Sequence, residues 1–133
     1  MINPAELRLG NYILHKTGVR ILPAKCTFLH FDLFAKGQVK DSFPIALKPD
    51  MLVKCGFVEN TKYYAYPETR EFVLTLPIIG TNKNEVLAYV NASNESYARA
   101  VVNDCIVTNH FYHLHQLQNL YYAFVGKEME LML

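Results

Sequence analysis

A chain of 133 residues, 51% hydrophobic and 19% charged, suits one domain spanning 1–133 and carries enough apolar area to offset the entropy of ordering its backbone. The net charge of +1 excludes the strongly basic class that binds nucleic acid through its phosphates. A mild asymmetry, eight Lys/Arg against four Asp/Glu over Met1–Lys54 and five against eight thereafter, is too small to name a partner.

The N-terminus has no basic segment followed by an apolar one, so no export signal is expected. Asn3-Pro4-Ala5-Glu6 reads as a capped single turn. Arg8 to His15 reads as a strand, Lys16-Thr17-Gly18 as a turn and Val19 to Leu22 as the returning strand, ended by Pro23. Cys26 to Phe31 alternates in period two with both faces apolar, which predicts a covered strand, and Asp32 to Ser42 a loop. Pro49 to Cys55 predicts a two-turn helix stopped by Gly56.

Lys62–Tyr66 and Glu71–Leu76 are strand-like and joined by Pro67-Glu68-Thr69-Arg70, which predicts a second hairpin. Val86–Val90 and Tyr97–Val102 flank the polar loop Asn91–Ser96, which predicts a third. Phe111–Val125 reads as the one long helix, ended by Gly126. The longest stretch without charged side chains, Cys105–Gly126, is interrupted too often by His, Gln, Asn and Thr to cross a membrane. The fold class expected is therefore α+β: antiparallel hairpins packed against a C-terminal helix, one short middle helix, and N-terminal strands curling toward a small SH3-like barrel.

At 100° per residue Leu114, Leu117, Leu120, Tyr121, Phe124 and Val125 share one arc of the terminal helix, the expected core face. His115, Gln116 and Asn119, with Gln118 and Tyr122 at the edge, fall on the other side. None of them is charged, so His115, Gln118, Asn119 and Tyr122 form the candidate surface for a second copy of the chain or an unidentified protein partner. Nine Tyr without Trp also predict a tyrosine-edged surface, because phenol hydroxyls must reach water or a partner.

His110, His113 and Cys105 form the other polar cluster, since imidazole serves as general base or metal ligand and a thiol as nucleophile. No single regular structure gathers His110, His113 and His115 on one face, so capping and core-edge roles are expected for them and no metal or other cofactor is predicted. Cys26, Cys55 and Cys105 are odd in number and widely spaced, which predicts buried thiols in a reducing, cytoplasmic setting. Phosphate-cradling glycine loops, H-E-x-x-H and G-x-S-x-G are absent from the sequence. Lys25, Lys36, Lys40, Lys48 and Lys54 share the N-terminal half with Phe28, Phe31 and Phe34, the pattern by which a weak single-strand nucleic-acid binder would attract backbone and stack bases, although the strand pattern assigns those rings to the core.

LRLGNYIL near the start, PIALKPDMLVKCGF in the middle and HLHQLQNLYYAFVGKEMEL at the end resemble, in that order, an uncharacterised family of small bacterial and phage proteins whose members read LRIGNYV, PIPLTEEWLLKFGF and HQLQNLYFALTGEEL. The last block is the most specific, matching from His115 to Tyr121 without a break. The resemblance implies an intracellular protein from a setting rich in mobile elements and brings no catalytic residue or cofactor with it. Lys48 stands where the family has a Thr able to cap the middle helix, so that helix is expected to be weaker here. The function expected is a non-enzymatic protein-binding or assembly module, with weak nucleic-acid binding or, below it, a His-dependent enzyme as alternatives.

Overall fold

The computed structural model describes residues 2–65 and 68–131. It is an α+β fold with two antiparallel sheets, one of three strands in the order β2-β1-β3 and one of five in the order β4-β5-β6-β7-β8. The chain divides into two compact units, Met1–Ile45 with His113–Leu120 (unit 1) and Ala46–Tyr112 with Tyr121–Leu133 (unit 2).

Unit 1 begins with a 3-10 turn, Pro4–Glu6, capped by the Asn3 side chain accepting from the Ala5 N–H, as the sequence predicts. The first hairpin pairs β1, Tyr12–Thr17, with β2, Arg20–Lys25. β1 starts later than expected because Arg8–Asn11 closes a turn, Asn11 N–H to Arg8 carbonyl, in which Gly10 takes a φ of 87° that a side chain would resist. β2 runs through Pro23 instead of ending there. Pro23 faces Leu14 on an edge strand, the one place in a sheet where a missing N–H costs no ladder bond, and it removes a donor from an edge otherwise open to another strand. Val19, Ile21 and Leu22 along that edge are exposed.

The expected strand Cys26–Phe31 is instead the start of a helix, α1, Phe28–Ala35. Thr27 precedes it, and the His30 ring reaches back so that Nδ1 accepts from the Thr27 N–H at 3.1 Å, a capping arrangement in which imidazole replaces the usual Glu or Gln. A short apolar run fits both periods, and this reciprocal cap decides for the helix. β3, Ser42–Phe43, pairs with β1 at Leu14 and His15. The three-stranded sheet keeps two open edges, so the barrel expected for these strands does not close. Ile2, Ile13, Cys26 and Phe34 make the unit's apolar core, with Leu7, Phe31 and Val39 against it.

Unit 2 opens with α2, Pro49–Lys54, at its expected position and stopped at Gly56, where φ is 94°. The second expected hairpin is not formed by Lys62–Ala65, which is not a strand; Tyr66 and Pro67 lie outside the described residues. β5, Thr69–Thr75, instead pairs with β4, Val58–Glu59, on one side and β6, Asn84–Asn91, on the other. The third hairpin is present as expected, β6 with β7, Ser96–Val102. A tight turn then leads to β8, Cys105–Ile106, with Asn103 and Asp104 at φ of 49° and 66°, left-handed positions that Asn and Asp tolerate best. One face of the sheet, Phe72, Leu74, Val86, Ala88, Val90, Ala98 and Ala100, is buried; on the other, Glu71 and Tyr89 are buried as well, and Tyr97 and Arg99 are half-buried.

α3, Leu114–Val125, is the long C-terminal helix. It begins three residues later than expected because Phe111 forms a β-bridge with Ala98. Among the described residues no helix is long and apolar enough to cross a membrane.

Candidate functional site

The helix face expected to be open lies inside unit 1. His115 and Gln118 are 1% and 2% exposed, Asn119 is half-buried, and of the four candidate surface residues only Tyr122 is well exposed. Conversely Phe124, expected in the core, is exposed. The buried stripe is rotated because the amides have backbone to satisfy. Gln118 Oε1 accepts the Tyr12 N–H at 2.8 Å and its Nε2 donates to the Gly10 carbonyl at 3.4 Å. Asn119 Oδ1 accepts from Arg8 Nε at 3.1 Å and from Asn11 Nδ2 at 2.8 Å, while Asn119 Nδ2 donates to the Glu6 carbonyl at 2.9 Å. The fully buried Asn11 closes the set by accepting the Arg8 N–H at 2.6 Å. Thus the LRLGNY and HQLQNLY blocks are the two sides of one hydrogen-bonded clamp.

Beside it His113 and His115 come together, ring centroids 5.7 Å apart and nearly parallel. A helix beginning at Leu114 leaves His113 in the preceding residue, outside the helical spacing that would have kept the rings apart. His115 lies 3.9 Å from a Glu6 carboxylate oxygen, beyond hydrogen-bond reach, and both its ring nitrogens are buried without a hydrogen-bond partner. Burial pushes the His115 pKa down, the neighbouring His113 adds to that, and Glu6 opposes it; burial likewise lowers His113. These rings are held neutral at physiological pH.

The remaining candidates are engaged separately. His110 stacks on Tyr97 at 4.2 Å. Cys105 is exposed on β8, against the expectation of a buried thiol, whereas Cys26 and Cys55 are buried and pushed up to about 11 and about 12 by desolvation, which keeps them protonated and inert. Among the described residues no group of three His, Cys, Asp or Glu side chains is arranged to hold a metal ion. Of the rings invoked for stacking nucleic-acid bases, Phe28 is 78% exposed and Phe34 is core. Lys36 is paired with Asp32 at 2.9 Å, and Lys25 lies over the Tyr12 ring.

A cluster of aromatic rings beside a cavity belongs to unit 2. Tyr89 and Tyr97 are directly opposite on β6 and β7, with ring centroids 5.3 Å apart, and Tyr63 packs on Tyr89 at 5.6 Å. With Tyr112 they wall a cavity of about 360 Å³, within the range of small-ligand sites. Behind it the Tyr89 hydroxyl interacts with the Glu71 carboxylate and Arg99, and its pKa is pushed up to about 12, by burial first and Glu71 second. Glu71 also accepts from Asn60 Nδ2 at 2.9 Å, and Arg99 lies over the Tyr89 ring at 5.4 Å. This network holds the Tyr89 ring, one of those that line the cavity. Composition announces a tyrosine edge; that Tyr89 and Tyr97 meet follows from the register of the β6–β7 hairpin, and the approach of Tyr63 and Tyr112 from loops has no local signal.

No protein family, curated protein or solved structure matches the chain.

Proposed function

We propose that this protein is a non-enzymatic binding module whose ligand site is the tyrosine-walled cavity of unit 2. The observation that carries the reading is the contrast in chemistry between walls and surroundings. The walls are aromatic rings and uncharged polar groups; among the described residues Glu95 is the one charged lining residue, and neither His nor Cys lines the cavity. Aromatic faces supply contact area at low entropic cost, and the Tyr89 ring, held by Glu71 and Arg99, is preorganised. The buried amides and imidazoles of unit 1 act as structure in this reading, and the site of recognition moves from the terminal helix to the β6–β7 hairpin.

An NMR-monitored screen of small aromatic, amine and sugar fragments tests it. Hits are expected to shift the backbone amides of Tyr89–Tyr97 in a saturable way. A screen whose hits cluster elsewhere, or one with no hit, overturns the reading.

A further inference from the structure

We infer that the tyrosine-walled cavity selects a free alkylammonium ion, an inference that rests on the binding reading above and adds the charge and shape of the ligand. Four tyrosines, Tyr63, Tyr89, Tyr97 and Tyr112, line the cavity, and tyrosine faces carry the negative side of the ring quadrupole. Among the described residues the single charged one in the lining is a carboxylate, Glu95. Glu95 has no ion-pair partner among the described residues; its Oε1 accepts only a long bond, 3.3 Å, from Asn91 Nδ2. Among the described residues no Lys, Arg or His lines the space, so an anion finds no counter-charge there. Lys48, at the start of α2, donates to the Asn94 carbonyl at 2.7 Å and is not part of the lining.

Two of the polar groups on the lining are already engaged within the chain. The Asn91 side chain is already committed, accepting the N–H groups of Ser93 and Glu95 at 2.9 Å each and donating to Glu95. The Tyr89 hydroxyl is likewise turned to Glu71 and Arg99. A cation that meets aromatic rings and a carboxylate fits this lining. The molecule supplies an internal precedent, because the Arg99 guanidinium already lies over the Tyr89 ring at 5.4 Å.

The test is a two-dimensional NMR titration of the full chain with choline and with its uncharged carbon isostere 3,3-dimethylbutan-1-ol. Choline is expected to bind at the β6–β7 hairpin about ten-fold more tightly than the isostere, a preference typical of an aromatic site for a cation. Tyr112 is half exposed, so its replacement leaves the core alone. Y112L is expected to weaken choline binding while Y112F retains it, and E95Q is expected to weaken it by about three-fold, as for a solvent-accessible charge pair. Co-sedimentation with phosphatidylcholine vesicles distinguishes a lipid headgroup from a free ion: binding to vesicles without binding to free choline overturns the inference. Equal binding of the isostere overturns the choice of a cation and leaves the cavity as a ligand site. Silence of both probes at the hairpin overturns the inference, and the fragment screen then decides separately whether the cavity binds anything else.

Discussion

In unit 1 the Asn119 amide has three hydrogen-bond partners on the segment Glu6–Asn11, whereas in unit 2 the facing pair Tyr89 and Tyr97 borders a cavity of about 360 Å³. Both regions concentrate side chains that sequence reading associates with recognition, yet they dispose of them oppositely. The amides of α3 are saturated by their own chain, which makes them a fixed part of the fold. The rings of the β6–β7 hairpin are positioned by their own chain and also line a cavity, Tyr89 buried and Tyr97 half-buried. Polarity on a helix face is therefore a poor guide to function until its partners are known, and the register of a hairpin is a better one.

The sharpest way to break this comparison is to remove a saturated amide. N119A leaves Arg8 Nε, Asn11 Nδ2 and the Glu6 carbonyl without their partner, and a partly buried set of that kind is worth about 2–4 kcal/mol. Urea denaturation measures the loss. The buried thiols report where it falls, since Cys26 belongs to unit 1 and Cys55 to unit 2. In a C105S background, N119A is expected to accelerate thiol labelling of Cys26 more than that of Cys55. A loss under 0.5 kcal/mol, the size of an ordinary surface change, would show that the clamp is dispensable.

A smaller effect comes from acid. His115 and His113 are lowered chiefly by burial, and His30 by burial and then by His15, and all three lie in unit 1. Folded pKa values below the unfolded value, about 6.5, mean that the unfolded chain takes up protons first as pH falls. The stability contributed by these neutral rings is complete above the unfolded value and is lost as pH falls through the folded ones. The urea midpoint is expected to drop between pH 7.5 and 5.5. H115L exchanges two unpartnered buried nitrogens for an apolar group; it is expected to be neutral or stabilising by up to about 1 kcal/mol at pH 7.5 and to flatten the acid slope. A wild-type midpoint that does not move over this range would contradict the burial of these rings.

How far the sequence reads through to this structure differs between the two regions for one physical reason. α2, the β6–β7 hairpin and most of α3 are legible because local signals agree: Pro49 with Gly56, Asn91–Ser96 between two apolar runs, Gly126 at a helix end. Phe28–Ala35 is misread because its apolar run fits either period, and the arbiter, His30 reaching back to Thr27, is a side-chain contact that no propensity encodes. Likewise the arc of α3 is drawn from hydrophobicity alone, and Gln118 and His115 count as outer residues until the Gly10–Tyr12 backbone they cover is known. Of the candidate cavity, the Tyr89–Tyr97 pairing follows once the hairpin is granted. The rest depends on loops returning from far along the chain.

The smallest effect sharpens the comparison from the side of unit 2. α2 is six residues long, and its N-cap, Lys48, makes no side-chain bond to the first turn; Lys48 reaches the Asn94 carbonyl instead. K48S supplies a hydroxyl for the free N–H groups at the helix start, and a good cap replacing a poor one stabilises by about 0.5–1 kcal/mol. The lost bond to Asn94 is exposed and offsets a few tenths of a kcal/mol of this, so a net gain of about 0.5 kcal/mol is expected. In the C105S background it should appear as slower labelling of Cys55, with Cys26 the less changed of the two. The same substitution takes a cation off the turn that carries Glu95, so choline affinity is expected to rise, by no more than about two-fold at a screened surface. A fall in affinity would mean that the Lys48 tether holds the turn in its binding form, and the cavity, like the clamp of unit 1, would then depend on hydrogen bonding between segments far apart in the chain.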